Sequence, residues 1–200
     1  AAGSTQALSF LVLGFITGLT HGYAILIAQR FGAGDYAGVR RTAANAGYLA
    51  AVSSLIITAA SLLGARALLE VMHTPEDIFR DALLYIQVIF IGTAASVAYN
   101  MFSGILRALG DSVSPLVILV VSSIVNVGLD VLFVVVFRWG VAGAAWATVL
   151  AQALSSAMCF AVLRRLELMR FQLEDWQGDW DVIQALLRLG VPVGIMNSIT

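Results

Sequence analysis

Long runs without a charged side chain dominate this sequence. Five segments contain no Asp, Glu, Lys or Arg, and they are 1–29, 42–65, 82–106, 112–129 and 139–163. All 11 arginines and all 12 acidic residues lie outside these runs, and the chain has no lysine. Each run is close to or above the roughly 18 to 20 residues that a helix needs to cross a bilayer core. The runs lack the alternating polarity of membrane β-strands, so the pattern predicts transmembrane helices.

We predict five complete spans and the beginning of a sixth. The five helices cover about 4–29, 42–65, 82–106, 112–137 and 139–163, and the fourth crosses Asp130. The predicted fold class is an all-α, polytopic membrane helix bundle. Residues 1–163 form this bundle, 164–181 a linker, and 182–200 the start of a further helix. Because no initiator Met opens the chain and an apolar stretch closes it, we expect an internal piece of a larger membrane protein.

Composition excludes several classes of protein. Hydrophobic residues make up 60% of the chain and charged residues 12%, about half the charged share of a soluble domain. The net charge of −1 provides no basic surface for nucleic acid. The single Cys159 excludes an internal disulfide and a cysteine-based metal cluster. No phosphate loop, nucleophile elbow or HExxH motif is present, so we predict that the protein is not an enzyme.

The arginines are distributed unevenly between the two ends of the predicted helices. Seven lie in the connections at one end, namely Arg30, Arg40, Arg41, Arg107, Arg164, Arg165 and Arg170. Three lie at the other end, namely Arg66, Arg80 and Arg138. Because basic residues concentrate in cytoplasmic loops, the first end is predicted to be cytoplasmic. The 164–181 linker belongs to that side, and we expect part of it to form an amphipathic helix.

Small and polar residues predict local contacts as well. Gly14, Gly18 and Gly22 recur every four residues in the first helix, a spacing that permits close packing against another helix. Gly110 should end the third helix, and Asp111 or Ser112 should cap the fourth.

Polar side chains form a stripe on each of three consecutive helices. The stripes are Thr93, Ser96, Asn100 and Ser103, then Ser122, Asn126 and Asp130, then Thr148, Gln152 and Ser155. Steps of three and four residues place each set on one helical face. Such residues can simply join helices by hydrogen bonds. Three successive stripes favour a shared polar interior, in which they face one another across a cavity.

Asp130 is the only acidic residue inside a complete span. A carboxylate at that depth costs roughly 2.5 to 3.5 kcal/mol to insert, so it must be paired, protonated or hydrated. Asn126, one turn earlier, could donate its amide to the carboxylate. Asp130 is then either a structural strut, bonded locally or to Arg138, or an ion or proton site. The ion or proton site is the interpretation that we favour.

Several motifs, in order, resemble one transporter family. Gln29-Arg30-Phe31-Gly32-Ala33-Gly34-Asp35 resembles the loop after the second helix of the multidrug and toxic compound extrusion (MATE) family. The segment from Ser103 to Asp111, followed by Pro115, is similar to its fourth connection. Asn126 to Asp130 and Gly140 to Thr148 resemble its fifth and sixth helices, and Leu189-Gly190-Val191-Pro192 resembles the start of its seventh.

The resemblance implies one lobe of a two-lobed, twelve-helix antiporter in the cytoplasmic (plasma) membrane. Such a protein exports organic compounds, cationic or amphiphilic, against an influx of H⁺ or Na⁺. The family's cation-binding residues correspond here to Asp130, Asn126, Thr148 and Asn100, with a sodium site at the first three. The implied partners are the bilayer, the small organic substrate and the missing C-terminal lobe. No cofactor beyond the coupling ion is implied.

Three alternatives remain open at this point. A lipid-linked oligosaccharide flippase of the same superfamily should have a strongly cationic cavity, whereas no arginine lies in mid-span here. A channel or receptor would need no titrating carboxylate. A membrane-embedded enzyme would need catalytic groups that the sequence does not offer.

Overall fold

Helices form almost the whole chain in the computed structural model. The structure describes residues 2–71 and 76–199, and side chains for these except 2–13, 16, 68, 76–78, 81, 198 and 199. Six α-helices follow one another: α1 Ala2–Gly32, α2 Tyr36–Val71, α3 Glu76–Ala108, α4 Val113–Asp130, α5 Gly140–Arg165 and α6 Trp180–Ile199. A π-helical segment, Val131–Val136, continues α4. The part of the chain described contains no strand, and the predicted all-α membrane bundle is confirmed.

The helices differ from the predicted spans mainly at their ends. Helix α2 begins six residues before the predicted 42–65 span and ends six residues after it, and Thr200 lies outside the described residues. The 164–181 linker contains two short 3-10 turns, Glu167–Met169 and Leu173–Trp176. The amphipathic helix expected there is absent from those residues, so that prediction is wrong. Contacts to α2 instead hold the linker in place.

Four described helices are long and apolar enough to cross a membrane. They are Tyr36–Val71, Ala82–Ala108, Val113–Val136 and Gly140–Arg165. Their outward faces remain apolar in the folded chain, and Leu55 on α2 is 71% exposed. A surface with many such side chains would be unstable in water, whereas lipid accommodates it. The spans expected in α1 and α6 stay predictions.

Helix α3 lies at the centre of the packing. It contacts α1, α2 and α5, and α4 packs mainly against α5. Buried apolar side chains from α1, α2, α3, α4, α5 and the linker form one core, with Ile27, Val39, Leu106, Ile118, Cys159 and Met169 among them. The bundle therefore has its main core between α2, α3 and α5, near the end where the linker lies.

The α3–α4 connection has the predicted turn chemistry. Gly110 adopts a φ of 91°, a left-handed conformation that a side chain would disfavour. The Ser114 amide donates a 2.9 Å hydrogen bond to the Asp111 carboxylate, which thereby caps the first turn of α4. Hydrogen bonds from the Ser114 side chain and backbone hold the pKa of Asp111 below its usual value. The predicted roles of Gly110 and Asp111 are confirmed.

Glycines allow α1 and α6 to touch backbone to backbone. A Cβ atom on Gly18 would lie 2.5 Å from the Val193 carbonyl oxygen, and one on Gly22 would overlap the Gly190 backbone. Gly190 and Gly194 on α6 face Leu19 and Phe15 on α1 in the same way. The predicted close packing of the α1 glycines is confirmed for Gly18 and Gly22.

An ion pair fastens the linker to the start of α2. Arg40 Nε lies 2.9 Å from Asp175 Oδ2, and these side chains are only 17% and 7% exposed. The same Asp175 carboxylate accepts a 2.8 Å hydrogen bond from the backbone amide of Gln172, which fixes the second 3-10 turn. One carboxylate thus satisfies both the guanidinium and a backbone donor.

A second contact lies one turn further along α2. Asn45 Oδ1 accepts a 3.1 Å hydrogen bond from the Asp179 amide. Arg41 Nη1 lies 3.7 Å from Asp179 Oδ2. The α1–α2 connection and the linker therefore share one end of the bundle, as the arginine distribution predicted.

Gly22→Ala should destabilise the protein. The added methyl group meets Gly190 backbone atoms, which cannot rotate away, so α1 and α6 must separate at a cost of about 1 to 3 kcal/mol. Thermal unfolding in detergent measures the change. Gly64→Ala on α2 is the control, because nothing lies within 4 Å of its added Cβ atom. Equal melting temperatures for both variants would contradict the close contact.

Asp175→Asn should release the linker. The amide can still accept a hydrogen bond, but it leaves the largely buried Arg40 guanidinium without its counter-charge, at a cost of about 1 to 3 kcal/mol. Trypsin should then cleave after Arg170 faster than in the unchanged protein, as mass spectrometry of the fragments would show. Glu174→Gln removes a neighbouring, exposed charge and should leave the cleavage rate unchanged. A similar acceleration in both variants would refute a specific role for Asp175.

Candidate functional site

Asp130 lies where the helix changes type. It is the last residue of α4 and precedes the π-helical segment Val131–Val136. Its side chain is half-buried. Among the residues whose side chains are described, none makes an ion pair or hydrogen bond with this carboxylate, and the Arg138 link considered above is not formed. Single π turns inside α-helices occur frequently at functional sites.

The π segment replaces the last turns of the continuous helix that we predicted over 112–137. The Phe137 amide donates to the Leu132 carbonyl at 2.9 Å, a bond across five residues instead of four. Phe133 stacks on Phe137 and Trp139, with ring centroids 6.0 and 5.0 Å apart. Arg138 then adopts a φ of 57° and Gly140 a φ of 59°, which turn the chain into α5. This turn is a packed unit directly beyond Asp130.

Asn126 and Gln152 contain buried polar atoms that lack partners. Asn126 Nδ2 on α4 and Gln152 Oε1 on α5 have no hydrogen-bond partner among the described residues. The expected bond from the Asn126 amide to Asp130 is therefore not formed in this structure. Buried polar groups without partners are uncommon and call for a bound water, ion or changed conformation.

Thr148 and Asn100 bind to their own helices. The Thr148 hydroxyl is exposed and donates to the Ala144 carbonyl at 3.1 Å. The Asn100 amide is half-buried and donates to the Ser96 carbonyl at 2.9 Å. Neither bonds to Asp130 among the described residues. Because each side chain uses only donor hydrogens, its oxygen atom stays available to a cation or a water molecule.

Two of the three predicted stripes, those of α4 and α5, meet at Ser122 and Ser155. Ser122 on α4 donates to the Ala151 carbonyl on α5 at 2.8 Å. The Ser155 hydroxyl lies 2.5 Å from the Ser122 hydroxyl and 2.9 Å from the same carbonyl. Both serines are buried, so this contact joins the two helices in the manner of interhelical hydrogen bonds in membranes. Ser122 and Ser155 therefore act as packing residues between α4 and α5, and Asn126 and Asp130 take no part in this contact.

Comparison with known proteins places this bundle in a family. A family model described as MatE matches residues 1–132. The "Probable multidrug resistance protein YpnP" of Bacillus subtilis (strain 168) is 32% identical over 199 residues, which cover 100% of this chain and 44% of that protein. The chain thus spans less than half the length of this relative.

Two solved structures share its fold. One is described as the inward-facing conformation of a multidrug resistance MATE family transporter of the MOP superfamily, with a TM-score of 0.89 and 27% identity. The match covers 96% of this chain and 45% of that one. The other is described as the outward-facing conformation of such a transporter, with a TM-score of 0.89, 26% identity, and 98% and 44% coverage.

The motif resemblance, the family model and the fold agree. The MatE model matches well over half of the chain, and the Bacillus relative is similar along all of it. The chain therefore belongs to the MatE family of membrane transporters.

Proposed function

We propose that the protein containing this chain is a secondary active antiporter of the plasma membrane. It exports organic, cationic or amphiphilic compounds and is driven by the influx of H⁺ or Na⁺. Relatives that are named as probable multidrug resistance proteins support the export of drugs. The chain contributes one helix bundle, and a second lobe of the same protein completes the transport path.

Asp130 is the proposed carrier of the coupling cation. The observation behind this proposal is a half-buried carboxylate, the only acid within the five spans predicted from the sequence, with no partner among the described side chains. Asn126 and Thr148 are proposed as neutral ligands or hydrogen-bond partners, and Asn100 as a more distant member of the cluster. Protonating or metallating Asp130 changes the local charge by one unit, which has a large effect in an environment of low dielectric constant.

Coupling requires that the ion favour one conformation over the other. The chain fits solved structures described as inward-facing and outward-facing with the same TM-score of 0.89. We infer that this bundle keeps its internal arrangement in both conformations, and that the larger movement takes place between it and the rest of the protein. The ion at Asp130 then acts by local changes in α4 and α5 that alter this outer contact.

Asp130→Asn should abolish ion-coupled efflux and leave expression almost unchanged. The amide keeps the shape of the side chain but can neither titrate nor provide a negative charge. Thr148→Val should slow efflux by about two- to tenfold, because one neutral ligand is worth about 0.5 to 1.5 kcal/mol. Dye efflux from cells, driven by imposed H⁺ or Na⁺ gradients, measures both effects.

Asp181→Asn is the matched control for Asp130→Asn. It removes an exposed acid at the start of α6 and should export normally. If Asp130→Asn exports dye at the normal rate and with the same dependence on both gradients, Asp130 is a structural strut and the proposed ion site is wrong.

The linker end of the bundle is proposed to face the cytoplasm. With Cys159 replaced by Ala, single cysteines at the exposed positions Ser112 and Gln177 should react with a membrane-impermeant maleimide only after the cells are permeabilised. A cysteine at Ala67, near the opposite end of α2, should react in intact cells. The reverse labelling pattern would show that the orientation is inverted.

A further inference from the structure

An apolar groove opens between α2, α3 and the end of α5. It encloses about 1030 Å³, and the linker covers one end of it. Small residues of α2, such as Ala43, Gly47 and Ala51, form one wall, and Val97 and Met101 of α3 form the opposite wall. None of the proposed cation-binding residues lines it. The groove is therefore separate from the site around Asp130.

Two arginines give the groove a positive end. Arg164 at the end of α5 and Arg170 in the linker both line it, and no acidic residue does. Neither arginine has a carboxylate within 4.0 Å among the described side chains. The linker acids Asp175 and Asp179 are paired with α2 arginines, so they do not neutralise this end. Arg164 instead lies over the Phe160 ring, 5.9 Å from its centroid.

Aromatic side chains surround the same end. Tyr48 and Phe171 pack against Trp176, with ring centroids 5.8 and 5.2 Å apart. The Tyr48 hydroxyl donates to the Trp176 carbonyl at 3.1 Å. Tyr and Trp concentrate at the level of the lipid headgroups. The aromatic cluster at the arginine end of the groove is typical of headgroup depth, which would direct the apolar part towards the hydrocarbon core.

The outer edge of the groove continues into the lipid-facing surface. Leu55 lines the groove, and its neighbours Val52 and Ile56 on α2 are 53% and 63% exposed. A lipid could thus enter sideways from the bilayer without crossing a polar barrier. A cationic compound would meet two guanidinium groups without counter-charges, which disfavours it as the occupant.

We propose that this groove is a binding site for an anionic phospholipid. The phosphate binds between Arg164 and Arg170, since guanidinium groups bind phosphate oxygens in pairs. The acyl chains lie along the small side chains of α2 and the apolar face of α3. Basic pockets between transmembrane helices bind acidic headgroups in this way. The bound lipid joins α2, α5 and the linker, so it stabilises the contact that Arg40 and Asp175 also make.

Native mass spectrometry of the full-length protein in mild detergent tests the site. Phosphatidylglycerol and phosphatidylcholine with identical acyl chains are titrated in parallel. The unchanged protein should bind phosphatidylglycerol more tightly than phosphatidylcholine. The double variant Arg164→Gln/Arg170→Gln should lower the affinity for phosphatidylglycerol about 25-fold, because each arginine contributes about fivefold. Arg165→Gln is the control, because this exposed arginine is next in sequence but does not line the groove, and its effect should stay within about twofold.

A second variant tests the apolar part without altering charge. Gly47→Leu adds a side chain that projects from a position with nothing within 4 Å of its Cβ, so it should fill the groove and leave the fold intact. Binding of the anionic lipid should fall at least tenfold, with an unchanged melting temperature in lipid-free detergent.

Three results would overturn the proposal. The first is equal affinity for the two lipids, and the second is unchanged binding in the double arginine variant. The third is a cross-link from a cysteine at Ala51 that shows another segment of the protein inside the groove. Phosphatidylglycerol binding at normal strength in an Asp130→Asn protein would support the proposal and show that the groove is independent of the proposed ion site.

Discussion

Hydrocarbon offers no hydrogen bonds, and most of this architecture follows from that constraint. Backbone amides and carbonyls within the bilayer must pair inside helices, so turns are confined to the helix ends. The same constraint acts on side chains. Thr148, Asn100 and Ser123 bond to carbonyls of their own helices, and Ser122 bonds to a carbonyl of α5. Asn126 and Asp130 depart from this rule among the described residues, and this departure supports the proposed ion site.

The sequence predicted the helices well because absence of charge is a local property. It predicted their ends less well, since a helix can continue into water once its middle is anchored. Helix α2 includes Arg40 and Arg41 for this reason, although both lie outside the charge-free run. The π segment was not foreseen. A run of valine and leucine has no polar periodicity that could distinguish a step of five residues from one of four.

The sequence predicted which residues share one face of a helix, but it did not predict which residues of other helices that face contacts. Four-residue steps correctly placed Ser122 and Ser155 on facing sides, yet the rotation of α5 that exposes Thr148 depends on several neighbouring helices. The groove forms because the linker folds back over small residues of α2. These two segments are more than a hundred residues apart in the sequence, so no local pattern predicts their contact. The Arg40–Asp175 pair could have been anticipated from sequence, because the arginines of the α1–α2 connection and the acidic linker were assigned to the same end.

The junction at Asp130 has a geometric consequence of its own. A π turn contains about one more residue than an α turn. Its position can shift along the helix when backbone hydrogen bonds are exchanged one at a time, so the helix stays intact. Since successive residues of an α-helix are related by about 100° of rotation, a shift of one position would turn the Asp130 side chain by about that angle. Its carboxylate could thus change surroundings while the helix axis, and the packing of α4 on α5, remained in place.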